Sequence, residues 1–498
     1  MKDKQYIPRF ISIWNECREG LEIKTLKKTI TFEGMKINTV KKLESTCSGK
    51  NTLEEVTKIL SKGWGKENTV SLLDYLIDEG VIINSLDANP VSESSVLKKI
   101  ETILPNEDVS NLFKLPYEII YGRTGSDIWS SGKGLDLENA CKKLVSEIAE
   151  WGVWSPEVNR ITTFSDYESI TSAVYPEEII SFHDEQYLDE YFNLERFNSK
   201  SAYEWVEADD VRRGGKTLIL ADHVFYPYSP KHQRYCFTTS TGCAAHVNKA
   251  KAIKHAVYEI IERDSFMIYW LNKLDRHNLD IETLPENIIT RIKSINDCGF
   301  NVVVKDISLD LSPVILIAVQ DKLGNYITIG LGSSYDIECM ISSALSEAED
   351  SVMHFLNSKN KSDSIDPCEV DSLRQHEELH RQEKYQKHTQ FIFDKRSKSI
   401  SYDKFCSQHN ESSDVVQSVL DNNLDIYVVD ATKWGIDILL PEHRYIVRVV
   451  IPGLVPLSFG YGLEPLGMDR IYTIPYSLGQ RSEKIVFKEI NRFLHPFN

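Results

Sequence analysis

The sequence contains no Cys-x-x-Cys pair, although nine cysteines are scattered through its 498 residues. Structural zinc sites and disulfide frameworks use closely spaced cysteines, so neither is predicted. No stretch approaches the roughly 20 apolar residues that a membrane span requires, and the first residues, MKDKQYIPRF, hold no apolar run of signal-peptide length. We therefore expect a protein of the reducing cytoplasm without a membrane span.

Basic residues are in the minority. Lys and Arg number 57 against 74 Asp and Glu, which gives a formal net charge of −17. Such a surface repels nucleic acids and anionic lipids, so no nucleic-acid partner is predicted, and any anionic ligand must be held by local basic groups. At this length, a hydrophobic content of 41% is enough for a large domain and a smaller one.

The most informative helical pattern lies at 250–271, AKAIKHAVYEIIERDSFMIYWL. Its opposite arc holds Glu259 and Glu262 beside Arg263, with only alanines between them. Two carboxylates three positions apart share one helical face and can share a cation. By itself, such a pair is more often a solvated surface feature. The apolar stripe that faces the core consists of Ile253, Val257, Ile260 and Ile261.

The same spacing occurs in two further helical patterns. Glu147 and Glu150 follow SSGKG in 130–157, and Glu347 and Asp350 lie in SSALSEAEDSVMHFL. If the three pairs converge they bring together six carboxylates, which a fold does not bury without cations. Oxygen ligands without a His or Cys cluster favour Mg²⁺ over zinc, and Mg²⁺ held by many acids usually carries nucleotide phosphates. The sequence therefore predicts a Mg²⁺–nucleotide site.

Two basic residues are candidates for binding the phosphates. Lys133 lies in a Gly-Lys-Gly turn, which lets an ammonium and backbone N–H groups approach a phosphate, although an ordinary loop lysine has the same local sequence. Arg448 interrupts a strand pattern of Ile and Val, YIVRVVIPGLVPL. An arginine there either lies near a strand edge or points at an anion, and both interpretations stay open.

The N-terminal residues 1–88 form a small unit of their own. Short strands are predicted near 22–25, 29–32 and 36–38, and three helical patterns with a final strand follow. This order is typical of a winged helix. Its third helix is acidic, which favours a peptide-binding or structural use over DNA binding.

A polar, turn-rich linker is predicted over 89–115, followed by a larger domain over 116–498. Within this domain, 359–414 is strongly polar, which predicts a solvated excursion. The terminal EINRFLHPFN is interpreted as a helix with a Pro-containing tail. Runs rich in β-branched residues, among them 216–226, 302–332 and two runs within 424–457, predict strands, so the expected fold class is α+β.

These motifs together resemble the YcaO-domain family, whose members act as ATP-dependent cyclodehydratases in making azoline-containing ribosomal peptides. The resemblance covers roughly 116–498 and rests mainly on TTSTGCAAHVNKAKAIKHAVYEIIERDSFMIYW, with SSGKG, ALSEAED, VVDATKWGID, IVRVVIPGLVPL and the HPF tail in support. It implies that ATP and Mg²⁺ bind at the three helices. The implied Mg²⁺ ligands are Glu147, Glu150, Glu259 and Glu262, joined by Glu347 and Asp350, and the implied ATP contacts are Ser131, Lys133, Arg263 and Arg448.

The sequence departs from the family pattern at several positions. The first motif has Leu144 and Trp151 where the family has Ser and Arg, and Asp350 stands where Gln or Glu is usual. The C-terminal P-x-P-x-P of azoline formers is replaced by LHPFN, which keeps only the middle proline.

The resemblance implies that a Cys, Ser or Thr side chain of a peptide attacks the preceding amide carbonyl, and that the resulting oxygen attacks the γ-phosphate of ATP. Phosphate then leaves, and a thiazoline or oxazoline remains. Arg263 and Arg448 are the expected catalytic cations, because they stabilise charge on the phosphate oxygens. The expected base is the C-terminal carboxylate of Asn498, with His495 as a rival.

The implied partners are a precursor peptide of the bacteriocin type, whose leader is bound by the N-terminal unit through an added strand, a ThiF-like partner protein and a flavin-dependent dehydrogenase. A homodimer is left open. Two alternatives remain: the same ATP chemistry with external sulfide, which yields a thioamide, and a non-catalytic scaffold that binds leader and ATP for an active homologue. The altered tail favours the thioamide alternative.

Overall fold

The structure is a computed structural model, and the chain is described wherever the placement of its residues is defined. The described ranges are 8–10, 13–17, 20–24, 29–33, 37–47, 51–78, 81–84, 101–103, 118–123, 130–134, 136–154, 162–226, 228, 230, 232, 234–324, 326–357, 364–394, 397–409, 414–432 and 445–497. Within them, no helix is long and apolar enough to cross a membrane. Every cysteine whose side chain is described there is a free thiol.

The strands are β1 (Pro8–Phe10), β2 (Ile13–Cys17), β3 (Gly20–Lys24), β4 (Thr29–Glu33), β5 (Ile82–Asn84), β6 (Glu101–Ile103), β7 (Glu118–Arg123), β8 (Ser130–Gly134), β9 (Thr163–Asp166), β10 (Ala202–Asp210), β11 (Lys216–Leu220), β12 (Cys243–His246), β13 (Asn278–Leu279), β14 (Phe300–Asp306), β15 (Val314–Asp321), β16 (Ile327–Ser333), β17 (Ser399–Ile400), β18 (Tyr427–Asp430) and β19 (Tyr445–Val450). The helices are α1 (Ile37–Thr46), α2 (Leu53–Trp64), α3 (Lys66–Asp78), α4 (Leu137–Trp154), α5 (Pro176–Ile179), α6 (Lys249–Asn272), α7 (Glu286–Asp297), α8 (Ile337–Asn357), α9 (Leu373–His380), α10 (Tyr402–Gln408), α11 (Val415–Asp421) and α12 (Arg470–Ser477).

The chain forms two compact units. Unit 1 comprises 1–106, 115–149 and 437–443. It holds the antiparallel sheets β2–β3–β4 and β6–β7–β8, the pair β1–β5, and the helices α1 to α3. The strands predicted near 22–25 and 29–32 correspond to β3 and β4. The winged-helix assignment and the domain boundaries stay predictions.

The strand predicted at 36–38 is wrong, because α1 begins at Ile37. Val40, Leu43 and Cys47 recur at helical spacing and are fully buried in the core of this unit. The next helix, α2, begins with a capping box in which Thr52 and Glu55 bond each other's backbone N–H groups.

Unit 2 comprises 107–114, 150–436 and 444–498. One sheet has the order β11–β10–β18–β19–β12, with β9 also paired to β10, and the other has the order β16–β15–β14–β13–β17. Helix α6 contacts β12 and β19 of the first sheet and β15 and β16 of the second. Because it is covered by both sheets, nearly all of its C-terminal half is buried. Asn248 caps its N-terminus by accepting from Lys251 N–H.

Unit 2 contains several of the strands predicted from the sequence. The run 302–332 folds into parts of β14, β15 and β16, as predicted. Strand β19 lies between β18 and β12, so Arg448 is not on a sheet edge. The predicted C-terminal helix is wrong: only Phe487–Glu489 forms a 3₁₀ turn, and no described helix follows it. The carbonyls of the tail instead bond outward, since Trp270 Nε1 donates to Phe493 O at 2.7 Å.

Part of the polar segment 359–414 packs into the core. Helix α9 buries His376, Leu379 and His380 almost completely. His380 Nε2 donates to Leu494 O at 2.8 Å, and Leu379 packs on Leu494. The expectation of a solvated excursion is therefore wrong for α9. Its two histidines are buried because their ring nitrogens form hydrogen bonds with backbone carbonyls of the C-terminal tail.

Candidate active site

The centre of the candidate site is the buried acidic turn of α6. Glu262 is only 8% exposed. The Arg263 guanidinium lies between the two carboxylates, with Nη1 2.8 Å from Glu262 Oε1 and Nη2 3.8 Å from Glu259 Oε1. Ala252 and Ala256 are fully buried, which allows the flanking elements to approach the helix closely. This arc of α6 is therefore a buried ionic cluster, and the interpretation as a solvated face is wrong.

Backbone N–H groups orient three carboxylates in unit 2. Gly242 N–H donates to Glu259 at 2.9 Å, and Leu331 N–H donates to Glu347 at 3.1 Å. Ala245 N–H donates to Glu150 at 2.7 Å. Each bond uses one carboxylate oxygen and holds the side chain in a defined direction.

The cluster carries an excess of negative charge. Burial, with Glu347 and Glu259 nearby, raises the pKa of Glu262 to about 8, although Arg263 opposes the rise. Burial also raises the pKa of Glu259, against the effects of Arg263 and Arg448. One adjacent guanidinium does not balance three carboxylates in a desolvated site. A further cation would stabilise their ionised forms.

Arg448 forms a second cationic group from the middle of a sheet. It pairs in register with Cys243 of β12 and is 4% exposed. Its Nη1 donates to Thr239 O at 2.7 Å and to Cys243 Sγ at 3.1 Å, and its Nη2 donates to Thr238 Oγ1 at 2.8 Å. Burial raises the pKa of the Cys243 thiol to about 12, against the effect of Arg448. The thiol is therefore neutral, and the hydrogen-bond partners of Arg448 named here carry no charge.

Both arginines retain buried N–H donors that the described residues do not satisfy. Arg263 Nε and Nη1 and Arg448 Nε are shielded from solvent and have no hydrogen-bond partner within the described part of the chain. Arg263 Nη1 contacts Glu262 as an ion pair without hydrogen-bond geometry. Orphaned guanidinium donors are expensive unless an acceptor arrives, and phosphate oxygens are the acceptors that arginine binds best.

Three predicted residues lie in unit 1. Ser131 and Lys133 are on β8, so SSGKG is a strand and the predicted turn is wrong. Ser131 N–H donates to Glu147 at 3.3 Å. Gly132 is required there because a Cβ at this position would lie 1.9 Å from Ala140 O of α4. The glycines of the motif therefore bring strand and helix together.

The arrangement of β8 and α4 recurs in β16 and α8. In each pair a strand N–H donates to a glutamate of the following helix, from Ser131 to Glu147 and from Leu331 to Glu347. A glycine also allows the close approach in each: a Cβ on Gly332 would lie 2.5 Å from Met340 O, as one on Gly132 would clash with α4. Both helices also begin with an aspartate cap, at Asp136 and Asp336. The repeated spacing of carboxylates in the sequence thus reflects a repeated strand–helix unit.

Asp350, His495 and Asn498 are the remaining residues that the sequence predicts for the site. Asp350 adds to the negative charge around Tyr326, a phenol whose pKa is raised mainly by burial. His495 is 2% exposed, its Nε2 donates to Ser458 O at 2.8 Å, and burial lowers its pKa well below the usual value. A neutral, buried imidazole favours a packing role. Asn498 lies outside the described residues, and its neighbour Phe497 stacks 4.3 Å from the Arg263 guanidinium.

The donor set fits a Mg²⁺ ion that is shared with phosphates. Among the described residues, no group of three or more His, Cys, Asp or Glu side chains is close enough to hold a metal by itself. Mg²⁺ is usually bound by one or two carboxylates together with water and substrate phosphates. Within unit 2, Glu259, Glu262 and Glu347 lie near Arg263. The set of six carboxylate ligands stays a prediction.

Sequence reasoning did not single out Thr238, Thr239 and Cys243, which hold Arg448. All three lie in TTSTGCAAH, directly before α6. Small hydroxyl residues are common, so only the pairing of β12 with β19 reveals their role.

The fold and site together define a mixed helix-and-sheet protein with a buried acidic and arginine-containing site of the kind that binds Mg²⁺ with a phosphate-bearing ligand. The family model described as YcaO cyclodehydratase, ATP- and Mg²⁺-binding, matches residues 131–455. The chain therefore belongs to the YcaO family, which binds ATP and Mg²⁺. The resemblance inferred from the sequence motifs is confirmed.

Similar proteins agree with this assignment. The fold is similar to that of a heterocyclase solved in complex with substrate and cofactor, with a TM-score of 0.66 and 19% identity over 81% of this chain and 57% of that one. It is also similar to the heterocyclase TruD, with a TM-score of 0.55 and 17% identity over 94% of this chain and 68% of that one. The chain thus spans little more than half of the first heterocyclase.

A sequence relative is an uncharacterized protein of Methanothermobacter thermautotrophicus. It is 24% identical over 275 residues, which are 52% of this chain and 67% of that protein.

Proposed function

We propose that the chain is an ATP-dependent enzyme that activates a backbone amide in a ribosomally made precursor peptide and closes a Cys, Ser or Thr side chain onto it. The observation that carries the proposal is the buried cluster of Glu259, Glu262 and Glu347 with orphaned donors on Arg263 and Arg448. Such a site suits a Mg²⁺–triphosphate, and membership of the YcaO family supports this use.

The proposed reaction couples ring closure to ATP. The substrate thiol or hydroxyl attacks the preceding amide carbon, and the former carbonyl oxygen then attacks the γ-phosphorus, so ADP leaves. Elimination of phosphate carries that oxygen away, and the two protons of the side chain and amide are released to water. Phosphate is a far better leaving group than hydroxide, which is why the ring closure consumes ATP.

The side chains have distinct proposed roles. Glu259, Glu262 and Glu347 would hold Mg²⁺, which when bound neutralises charge on the β- and γ-phosphates. The guanidinium groups of Arg263 and Arg448 bind phosphate oxygens and stabilise the charge that develops on them. Glu150 is kept as a further metal ligand. The roles of Ser131, Lys133, Glu147 and Asp350 in binding ATP and Mg²⁺ rest on the sequence resemblance.

The proposal includes partners. We infer that the N-terminal part of unit 1, with its antiparallel sheet β2–β3–β4, binds the leader of the precursor by accepting an added strand. A ThiF-like protein and a flavin-dependent dehydrogenase complete the proposed pathway, the latter by oxidising azolines to azoles. A heterocyclase that shares the fold has been solved in complex with substrate and cofactor.

A second candidate is thioamide formation, in which external sulfide displaces the phosphorylated oxygen. The observation that favours it is the tail LHPFN, which lacks two prolines of the azoline-forming pattern. The mass of the product separates the two reactions. Ring closure removes one water per modified residue, whereas thioamide formation replaces one oxygen by sulfur.

The decisive experiment compares the wild type with Glu262→Gln in an ATP-hydrolysis assay that contains Mg²⁺ and a short Cys/Ser/Thr-rich precursor peptide. We expect Glu262→Gln to abolish peptide-dependent phosphate release. The control is Glu286→Gln, which makes the same change at an exposed residue of α7 and should leave the rate unchanged. Unaltered turnover in Glu262→Gln would refute the site. Absence of turnover in the wild type would support the scaffold alternative.

A further inference from the structure

Unit 2 contains a cavity of about 400 Å³ that the proposed chemistry does not use. Its walls come mainly from four parts of the chain: the loops around 180–194 and 237–239, the segment 368–372 that precedes α9, and the loop 456–465. The volume is within the range of small-molecule pockets, so it can accommodate a large side chain with part of its backbone.

The walls of the cavity are mainly aromatic and aliphatic. Phe182, Leu194 and Phe459 are among the apolar residues, and Asp371 is the single charged residue among those that line it. Ser458 Oγ, also in the wall, is buried and has no hydrogen-bond partner among the described residues. This composition suits an uncharged group and offers a hydrogen-bond partner to a peptide. It does not suit phosphates, because no lining residue is basic.

The cavity adjoins the candidate active site. Thr238 and Thr239 line it, and both accept hydrogen bonds from the guanidinium of Arg448. A group seated in the cavity is therefore separated from this arginine by a single layer of residues. The position is that of a substrate segment next to the reacting residue.

The entrance carries exposed aromatic rings. Phe237 is 45% exposed and Tyr191 is 53% exposed, and both line the cavity. Tyr191 packs edge-on against Tyr461 at 5.8 Å, and the Arg234 guanidinium covers one face of Phe237 at 4.3 Å. Exposed aromatic residues around a pocket are typical of binding surfaces, since they give large contact area at low cost in side-chain entropy.

We propose that this cavity receives the side chain that neighbours the reacting Cys, Ser or Thr of the peptide, and that it selects a large uncharged residue such as Phe or Leu. The inference rests on the proposed function for the identity of the ligand as a peptide. The carboxylate of Asp371 and the apolar walls exclude an acidic neighbour, because its charge would be desolvated without a partner.

Occupancy of the cavity can be measured through the thiol of Cys368, because this residue lines the cavity and is exposed to a reagent. Cys339 is also an exposed thiol, lies on α8 and does not line the cavity, so it is an internal control. The probes are acetylated tetrapeptide amides, Gly-Phe-Ser-Gly and Gly-Asp-Ser-Gly, which lack thiols. The full chain is treated with N-ethylmaleimide, and the alkylation rate at each cysteine is followed by mass spectrometry.

We expect the Phe peptide to slow alkylation of Cys368 by about tenfold at ten times its Kd, because only the unoccupied fraction reacts. Alkylation of Cys339 should not change, and the Asp peptide and adenosine should not protect Cys368. Protection by the Asp peptide, or by neither peptide, would overturn the proposal. Protection by adenosine would make the cavity a nucleotide pocket instead.

Phe237→Ala tests the entrance, and Phe164→Ala is the matched control at an exposed aromatic residue of β9 that does not line the cavity. We expect loss of protection and a raised KM for the precursor with unchanged kcat in the first variant only. The binding test is repeated in Glu262→Gln, which should still be protected by the Phe peptide. If ATP turnover is absent but protection persists, the proposed function fails and the peptide cavity stands.

Discussion

At the scale of single residues, burial decides the chemistry of the site. Partial or complete burial on α6 raises the pKa of Glu259 and of Glu262, and Arg263 alone does not compensate for their charges. Arg448 is surrounded by neutral partners, including the buried thiol of Cys243. The site is therefore prepared for both a cation and an anion, which is what a Mg²⁺–nucleotide supplies.

The pKa of Glu262 predicts how nucleotide affinity depends on pH. Its value of about 8 in the folded protein lies above the usual 4.5. The proton held by the folded state favours folding at low pH, and this contribution is fully present below pH 4.5 and is lost as the pH rises through about 8. If Glu262 holds Mg²⁺ as proposed, binding of Mg²⁺–ATP requires its ionised form and releases a proton.

We therefore expect the Kd of Mg²⁺–ATP to increase by up to about tenfold per pH unit as the pH falls from 8 to 6. Isothermal titration calorimetry in buffers with different ionisation enthalpies measures both the affinity and the released proton. In Glu262→Gln the residual affinity should lose this dependence. A wild-type affinity that is flat over this range would show that Glu262 is already ionised.

His495 is expected to support the cavity wall and not to transfer protons. Its Nε2 donates to Ser458 O, and its ring packs on Phe459 at 5.4 Å. We expect His495→Gln to lower the free energy of unfolding by about 1–3 kcal/mol, to raise KM, and to leave the pH profile of kcat unchanged. Urea denaturation and steady-state kinetics measure these effects. A loss of kcat of about 10²–10⁴-fold would instead indicate a general base.

At the scale of elements, the site depends on strands and helices that approach more closely than side chains normally allow. Gly330 of β16 faces α8 so closely that a Cβ would lie 2.0 Å from Ala344 O. This contact brings Leu331 N–H to Glu347. Unit 1 has the same close approach between β8 and α4, where a Cβ on Gly134 would lie 2.4 Å from Ala140 N.

Gly330→Ala is expected to force α8 away from β16 and to cost about 1–3 kcal/mol or more in the free energy of unfolding. The loss in kcat/KM, expressed as a free energy, should exceed the loss in the free energy of unfolding, because Glu347 also loses the hydrogen bond that orients it. The control is Gly63→Ala in α2, where the nearest atom is the flexible Lys42 Nζ at 3.2 Å; this change should stabilise by about 0.5–1 kcal/mol. Equal effects of the two substitutions would contradict the close-contact argument.

The tail is a second element whose conformation is set by packing. Its carbonyls at Phe493, Leu494 and His495 accept hydrogen bonds from Trp270, His380 and His376 in turn. These bonds replace the intrahelical ones that the local sequence allows. Because α6 and α9 supply the donors, the tail is part of the core of unit 2.

At the scale of the whole molecule, binding of Mg²⁺–ATP should stabilise the folded chain. A ligand at one hundred times its Kd contributes about 2.7 kcal/mol when it binds only the folded state. We expect a rise in Tm with ATP and Mg²⁺ together, which EDTA reverses. Differential scanning calorimetry measures the shift, and Glu262→Gln should show little of it. A shift with ATP alone that EDTA does not alter would contradict a metal-bridged site.

The helices of unit 1, the long helices α4, α6 and α8, the strands β14 to β16 and the family were accessible from sequence, because they depend on local periodicity and on a long motif. The acidic pairs on α6 and α8 were also recognised from spacing. The predictions that were wrong concern features whose conformation is set by tertiary packing and not by local sequence. SSGKG was interpreted as a turn because its glycines suggested one, whereas they are small so that α4 can pack on β8. The burial of α9 depends on the tail, more than one hundred residues away.

The sequence by itself determined the chemistry that this protein carries: paired carboxylates at helical spacing, an arginine within a strand and a motif that identifies the YcaO family. Tertiary structure alone decided which of these groups meet. It buried Glu262 on a helix covered by two sheets, placed Arg448 on an interior strand beside Thr238, and enclosed an aromatic cavity next to it. The reason is physical, since charge and periodicity are local properties, whereas desolvation and the pairing of donors with acceptors depend on residues far apart in the chain.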